Sequence, residues 1–310
     1  MARIASTVLV VALLAATAAA FALTEVLKLQ KSPITGTNVA PVLSPVCGCA
    51  TAEAAIHFKL RERDVLDLSV IDGGGDVVAN VVRGEAVPAG RVSLAWDGRD
   101  DLGNVLPEGE YRPRVHLREA NFTIEMPNEM RIDVTPPVVE SFEIVPRVFS
   151  PDGDGRADAV RATYRVSEDA AGLLFVNGQR RVRTKFARPQ GRLDWYGRVD
   201  GRALPAGVYG LTVSARDPAG NVAERTQPTP VVIRYVALGR TRIEVPAGSS
   251  FAVRVSSDAA EVRWRLGRRS GTSEPGTLRV RAPRQKGRFT LVVTANGHAA
   301  RAAVFVRGQP

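Results

Sequence analysis

Apolar and polar residues alternate with period two along most of this chain. Ile56, Phe58 and Leu60 alternate with His57, Lys59 and Arg61, the pattern of a strand with one dry and one wet face. Leu66, Leu68 and Val70 alternate with Asp67 and Ser69, and Val92, Leu94 and Trp96 form the next inward set. Tyr111, Val115 and Leu117 point one way and Arg112, Arg114, His116 and Arg118 the other. Pro113 interrupts that run, and because proline cannot donate to a ladder it predicts an edge strand there. Further along, Val160, Ala162, Tyr164 and Val166 alternate with arginines and small polar residues. A short strand follows at Leu173 to Val176, and Asn177-Gly178 is a hairpin turn. Leu193 with Trp195, and then Tyr209, Leu211 and Val213, complete that set. From about residue 235 a third set begins. Val262, Trp264 and Leu266 alternate with Arg263 and Arg265; Leu278 and Val280 alternate with Arg279 and Arg281; Phe289, Leu291 and Val293 alternate with Arg288 and Thr290. Beyond the N-terminal segment no window carries a helical stripe, so the chain reads as all-β.

The pattern is also duplicated. Leu43-Ser44-Pro45 recurs as Phe149-Ser150-Pro151, Trp96-Asp97-Gly98-Arg99 as Trp195-Tyr196-Gly197-Arg198, and Leu106 to Tyr111 as Leu204 to Tyr209. The offsets are 106, 99 and 98 residues, so the copies are collinear and differ by small deletions of the kind surface loops absorb. Proline-rich joints at Pro136-Pro137 and from Gln227 to Pro230 restrict the backbone and end strands. The expected divisions are therefore 1–31, 32–136, 137–235 and 236–310. Residues 24–40 read as a polar tether without sustained period.

The N-terminal segment stands apart. Arg3 precedes an uncharged run from Ile4 to Leu23 with small residues around Ala18 to Ala22. That suits a removable export signal; a run of this length also suffices to span a bilayer, and Lys28 and Lys31 beyond it weaken any argument from flanking charge. Both readings, a cleaved signal and a retained anchor helix, export everything after about residue 31. The protein is expected to be secreted or held at a membrane facing outward.

Net charge changes the picture only at one end. The chain carries +10 overall, yet residues 1–235 hold 28 basic and 28 acidic side chains, while residues 236–310 hold 14 and 4. The whole excess falls in the last unit, on outward rows that read as one continuous basic surface. Arg263, Arg265, Arg279, Arg281 and Arg288 are the candidate anion-binding residues, since guanidinium groups pair with phosphate or carboxylate in two-point fashion. An anionic envelope polymer, a membrane surface or an envelope protein is the expected partner. Nucleic acid is disfavoured by export and by the scarcity of aromatics, 6% of the chain, for stacking bases.

Other candidate chemistry is sparse. Asp152, Asp154 and Asp158, with Gly155 among them, set oxygen ligands at loop positions suited to calcium; the same spacing also serves an Asp/Gly turn held by side-chain to backbone bonds. Cys47 and Cys49 are the only cysteines. In an exported chain they suit a bridge, and one closed across a single residue is strained and readily reduced; an interchain bridge, free thiols and a metal remain alternatives. Trp96 and Trp195 end inward alternations and read as core. His57, His116 and His298 are scattered, with no nucleophile or carboxylate spaced to form a triad, and no phosphate loop or dinucleotide fingerprint occurs. No catalysis and no organic cofactor is expected.

The segment Trp96-Asp97-Gly98-Arg99-Asp100-Asp101-Leu102-Gly103-Asn104-Val105-Leu106-Pro107-Glu108-Gly109-Glu110-Tyr111 resembles the FlgD Ig-like domain family. The second copy is similar, with its Ser150-Pro151-Asp152-Gly153-Asp154-Gly155 opening and its closing run from Asp217 to Asn221. The resemblance covers about residues 40–225 and implies tandem Ig-like β-sandwiches in an extracytoplasmic, structural or adhesive setting; residues 236–310 are Ig-like by pattern alone. The combined expectation is a non-enzymatic surface protein whose Ig-like modules space a basic domain, with a calcium-dependent binding module at the Asp152–Asp158 loop as the alternative.

Overall fold

The computed structural model describes residues 11–22 and 32–308, and all regular structure from residue 32 onward is β. Residues 11–22 form a helix, and no described helix is long and apolar enough to cross a membrane. The rest of the expected signal or anchor segment, residues 1–10 and 23–31, lies outside the described residues. The chain divides into two compact units, residues 1–134 and 135–310.

The first unit packs two sheets over one core. Ile34–Val39, Ala54–Leu60 and Gly90–Trp96 form a three-stranded antiparallel sheet. The second sheet orders Val42–Leu43, Met130–Ile132, Gly109–Leu117, Asp64–Ile71 and Val77–Val87, with Phe122–Glu125 also on Gly109–Leu117. Phe58, Leu68, Val70, Trp96, Val115 and Met130 meet between the sheets, the inward halves of the alternations.

Two expectations fail here, each for a local reason. Ile34–Val39 is a strand rather than tether: it pairs with Ala54–Leu60 through a bulge between Thr35 and Asn38. The bulge, with Gly36 at φ +63°, inserts residues that break the period while Ile34 and Val39 both stay buried. The strand Gly109–Leu117 is central rather than an edge, pairing with Asp64–Ile71 on one side. On its other side Met130–Ile132 reaches Tyr111 and Phe122–Glu125 begins at Arg114. Pro113 sits in the gap between those two partners, where no donor is required and its carbonyl accepts from Met126 N at 2.8 Å.

The second unit holds two cores. Around the first, the strand Val160–Val176 runs for 17 residues and serves both sheets. Its first half pairs with Val139–Val145 and Arg188–Trp195, and its second half with Gly207–Arg216 and Gln179–Arg183. The short strand expected at Leu173 to Val176 is thus the end of this long one. The second core lies between the sheet of Ala237–Leu238, Ser250–Ser256 and Gly276–Arg281 and the sheet of Arg242–Pro246, His298–Arg307, Gly287–Ala295, Val262–Leu266 and Arg269–Ser273. At the joint between these cores, Ser257 Oγ donates to the Tyr235 carbonyl at 2.7 Å. The Tyr235 ring stacks on His298 with centroids 3.5 Å apart.

Candidate functional site

The repeated motifs meet in space, and each copy uses them to build the same corner. Trp96 Nε1 donates to the Arg99 carbonyl at 3.0 Å, and Trp195 Nε1 to the Arg198 carbonyl at 3.3 Å. Tyr111 Oη donates to Pro107 O at 2.8 Å and Tyr209 Oη to Pro205 O at 2.9 Å. The rings of each pair meet edge to face, Trp96 with Tyr111 at 5.6 Å and Trp195 with Tyr209 at 6.1 Å. Gly98, at φ +72°, lies under Pro45, and Gly197, at φ +61°, under Pro151; an added Cβ would stand 2.4 and 2.6 Å from the proline Cγ. The three motifs are therefore one structural device. Both tryptophans are 3% exposed, so neither offers a stacking platform to a ligand.

The loop after Phe149 carries the acidic candidates, and the structure separates them. Asp158 is turned into its own loop, accepting from Gly153 N at 2.6 Å and Gly155 N at 2.7 Å, so it ties the turn and does not join its neighbours. In its place Asp258, from the third set of strands, joins Asp152 and Asp154: each offers an oxygen, all within 4.8 Å of one another. Asn296 Nδ2 donates to Asp152 Oδ2 at 3.1 Å and Asp154 Oδ2 at 3.0 Å, and Ser150 Oγ donates to Asp152 Oδ2 at 3.0 Å. Asp152 Oδ1 and both Asp258 oxygens are shut from solvent without a hydrogen-bond partner of good geometry. Burial pushes the Asp258 carboxyl above the usual aspartate value and the like charges of Asp152 and Asp154 add to the rise, while its own backbone amide and then the nearby Ser150 hydroxyl moderate it. Asp258 lies 100 residues beyond Asp158, and nothing in its own turn marks it as a partner of this loop.

The arginine rows fall on two outer faces. Arg263, Arg265 and Arg288 stand on the five-stranded sheet, and Arg279 and Arg281 on the three-stranded one. Because Val262, Leu266, Leu278 and Val280 all point into the shared core, the alternating arginines point away from each other, and the expected continuous surface is divided. Arg301 joins the five-stranded face, in line with Arg265 through Val292. Some guanidinium groups there are engaged: Arg242 and Arg307 pair with Glu244, and Arg242 and Arg288 lie over the Phe305 ring. On the opposite face Arg281 Nε donates to Gly248 O at 2.7 Å.

Cys47 and Cys49 are joined in a disulfide. They occupy the place in the first copy that Gly153 and Gly155 hold in the second, after the shared Ser-Pro. The Thr51 hydroxyl lies 3.0 Å from Cys49 Sγ and 3.8 Å from Cys47 Sγ.

The corner motif lies inside a match to a known family. Residues 48–120 match the FlgD Ig-like domain. The matched stretch runs from the loop of Cys49 through Trp96 and Tyr111 to the turn after Leu117, so the FlgD Ig-like match includes the Trp–Tyr corner. No curated protein sequence matches the chain. Among solved structures, the I67–I69 fragment of titin overlaps with TM-score 0.28 at 12% identity, covering 91% of this chain and 100% of that one. A 1.5-MDa bacterial ice-binding adhesin overlaps with TM-score 0.26 at 15% identity, covering 91% and 100%.

Proposed function

We propose that this is a non-enzymatic, exported surface protein in which two FlgD-type Ig-like modules space a basic C-terminal domain that docks on an anionic component of the cell envelope. The observation that carries this reading is the excess of 14 basic over 4 acidic side chains in residues 236–310. On the five-stranded face, the exposed guanidinium groups of Arg263, Arg265 and Arg301 have no hydrogen-bond or ion partner among the described residues. Strand geometry sets Arg263 and Arg265 about 7 Å apart and puts Arg301 two strands, about 10 Å, from Arg265, a flat array suited to repeated phosphate or carboxylate groups. The test is retention of the full chain on purified envelope material at physiological salt, with duplex DNA as control anion. Retention on envelope above that on DNA supports the reading; equal or absent retention on both removes it.

A second reading, a cation-dependent binding module, rests on the solvent-shut, unpartnered oxygens of Asp258 beside Asp152 and Asp154. Oxygen-only ligands of this kind suit calcium. A rise in the melting temperature of the second unit with calcium over chelator, lost in Asp154→Ala, is its expected signature; identical melts in calcium and chelator sink it.

A further inference from the structure

The disulfide near the start of the first unit is not used by either reading above, and its setting is chemical rather than structural. The turn that carries it is already closed by the backbone. Ser44 N donates to Thr51 O at 2.9 Å, Cys47 N to Ser44 O at 3.1 Å, and Ala52 N to Cys49 O at 3.1 Å. The bridge spans a single intervening residue, so closing it removes little freedom from the unfolded chain, since that contribution grows with loop length. Both cysteines are half-buried and Gly48 between them is exposed, which leaves the sulfur pair open to approach. A bridge that is accessible and adds little to the fold belongs with the labile disulfides rather than the structural ones.

The surroundings also distinguish the two sulfurs. A bridged sulfur carries no hydrogen, so the Thr51 hydroxyl is the donor to Cys49 Sγ at 3.0 Å, and it stands 3.8 Å from Cys47 Sγ. A hydrogen bond to a sulfur strengthens when that sulfur becomes an anion. Negative charge is therefore best accommodated on Cys49.

We propose that the Cys47–Cys49 bridge is a thiol–disulfide exchange site that reacts with a small-molecule thiol, with Cys47 the attacked sulfur and Cys49 the leaving one. The incoming thiolate forms a bond to Cys47 Sγ. The Cys47–Cys49 bond breaks, and its electron pair moves to Cys49 Sγ as a thiolate held by the Thr51 hydroxyl. The mixed disulfide on Cys47 then has two fates. Cys49 attacks it and expels the small thiol, restoring the bridge, or a second small thiolate attacks the adduct sulfur. The second route leaves both cysteines reduced and two small thiols oxidised to one disulfide, so electrons balance.

The test uses the full chain and glutathione as probe. The chain is equilibrated in buffers of graded reduced-to-oxidised glutathione ratio, quenched by alkylation and read by mass. The bridge is expected to open at ratios that leave an ordinary structural disulfide closed; a bridge that stays closed in fully reduced glutathione, on folded chain, overturns the proposal. Rapid acid quenching followed by peptide mapping should find the glutathione adduct on Cys47, and an adduct confined to Cys49 reverses the assignment. Thr51→Val is expected to slow opening by about tenfold, the scale of one hydrogen bond to a charged group, while Thr51→Ser keeps the parent rate. Equal rates in all three chains discard the role given to Thr51. Circular dichroism of the reduced chain should match the oxidised one, because the backbone bonds of the turn remain.

Discussion

Gly98 and Gly197 occupy the same post in the two copies, and they show how a single missing Cβ shapes this fold. At Gly98 both constraints apply: φ is +72° and a Cβ would fall 2.4 Å from Pro45 Cγ. Gly103 has φ +84° with nothing within 4 Å of an added Cβ, so only the backbone term remains. Gly98→Ala should therefore lower the stability of the first unit by about 2–4 kcal/mol, and Gly103→Ala by about 1–2 kcal/mol; urea melts of the two variants check the ranking, and equal losses would contradict it. Asp258 supplies the pH dependence. Its folded pKa lies above the aspartate value of 3.8, so the native state gains from the protonated form at low pH and loses that gain as pH rises through the raised value. Asp258→Asn should thus raise the melting temperature of the second unit at pH 7 in chelator, by about 2–4 °C. The difference from the parent should vanish below about pH 4. At this scale the sequence was informative about what repeats and blind to what converges. Trp96, Tyr111 and Gly98 were legible because each has a twin; Asp258 was not, because the chain must fold through a whole further set of strands to bring it to Asp152.

Among the strands, the alternations at Ala54–Leu60, Asp64–Ile71 and Val262–Leu266 could be read from the residues because each has one wet face. The failures at Ile34–Val39 and at Pro113 share a cause, since pairing depends on neighbours that the local pattern does not contain. The long strand Val160–Val176 shows this most fully. In the first copy Arg61, Glu62 and Arg63 separate two strands in different sheets, whereas in the second the chain passes from sheet to sheet without a break. Tyr164 fills the crossing: a Cβ on Gly172 or Gly191 would stand 2.3 or 2.6 Å from its ring or hydroxyl, and its Oη accepts from Gly172 N at 3.1 Å. Gly172→Ala is expected to destabilise the second unit by about 2–3 kcal/mol. Adding Tyr164→Leu should recover part of that loss, the coupling expected for residues in contact. A strictly additive double mutant, measured by denaturant melts, would show that the ring is not what excludes the side chain.

For the molecule as a whole, charge and architecture divide the chain differently. Structure separates residues 1–134 from 135–310, while charge separates residues 1–235 from 236–310. The second compact unit therefore carries a mildly basic module, 15 basic and 11 acidic side chains over residues 135–235, together with the strongly basic one. The split of arginines between two outer faces makes the docking proposal specific to one of them. Arg263→Glu with Arg265→Glu should abolish retention on anionic envelope material at physiological salt, whereas Arg279→Glu with Arg281→Glu changes net charge equally and should leave most of it. Equal loss from both pairs would mean that net charge, and not the five-stranded face, governs attachment. Total charge and its address in the sequence were readable from composition; its division between faces needed the sheet order.

The loop after the shared Ser-Pro is fastened differently in each copy, covalently through Cys47 and Cys49 in the first and by the Asp158 carboxylate on Gly153 and Gly155 in the second. Two otherwise matching corners thus differ in the chemistry that can reach them. A thiol reductant has a bond to cut in the first loop and none in the second, and the backbone hydrogen bonds of the first turn remain after that bond is cut. The covalent state of one copy can therefore be changed alone, and a mass or thiol count then reports on the first loop without disturbing its twin.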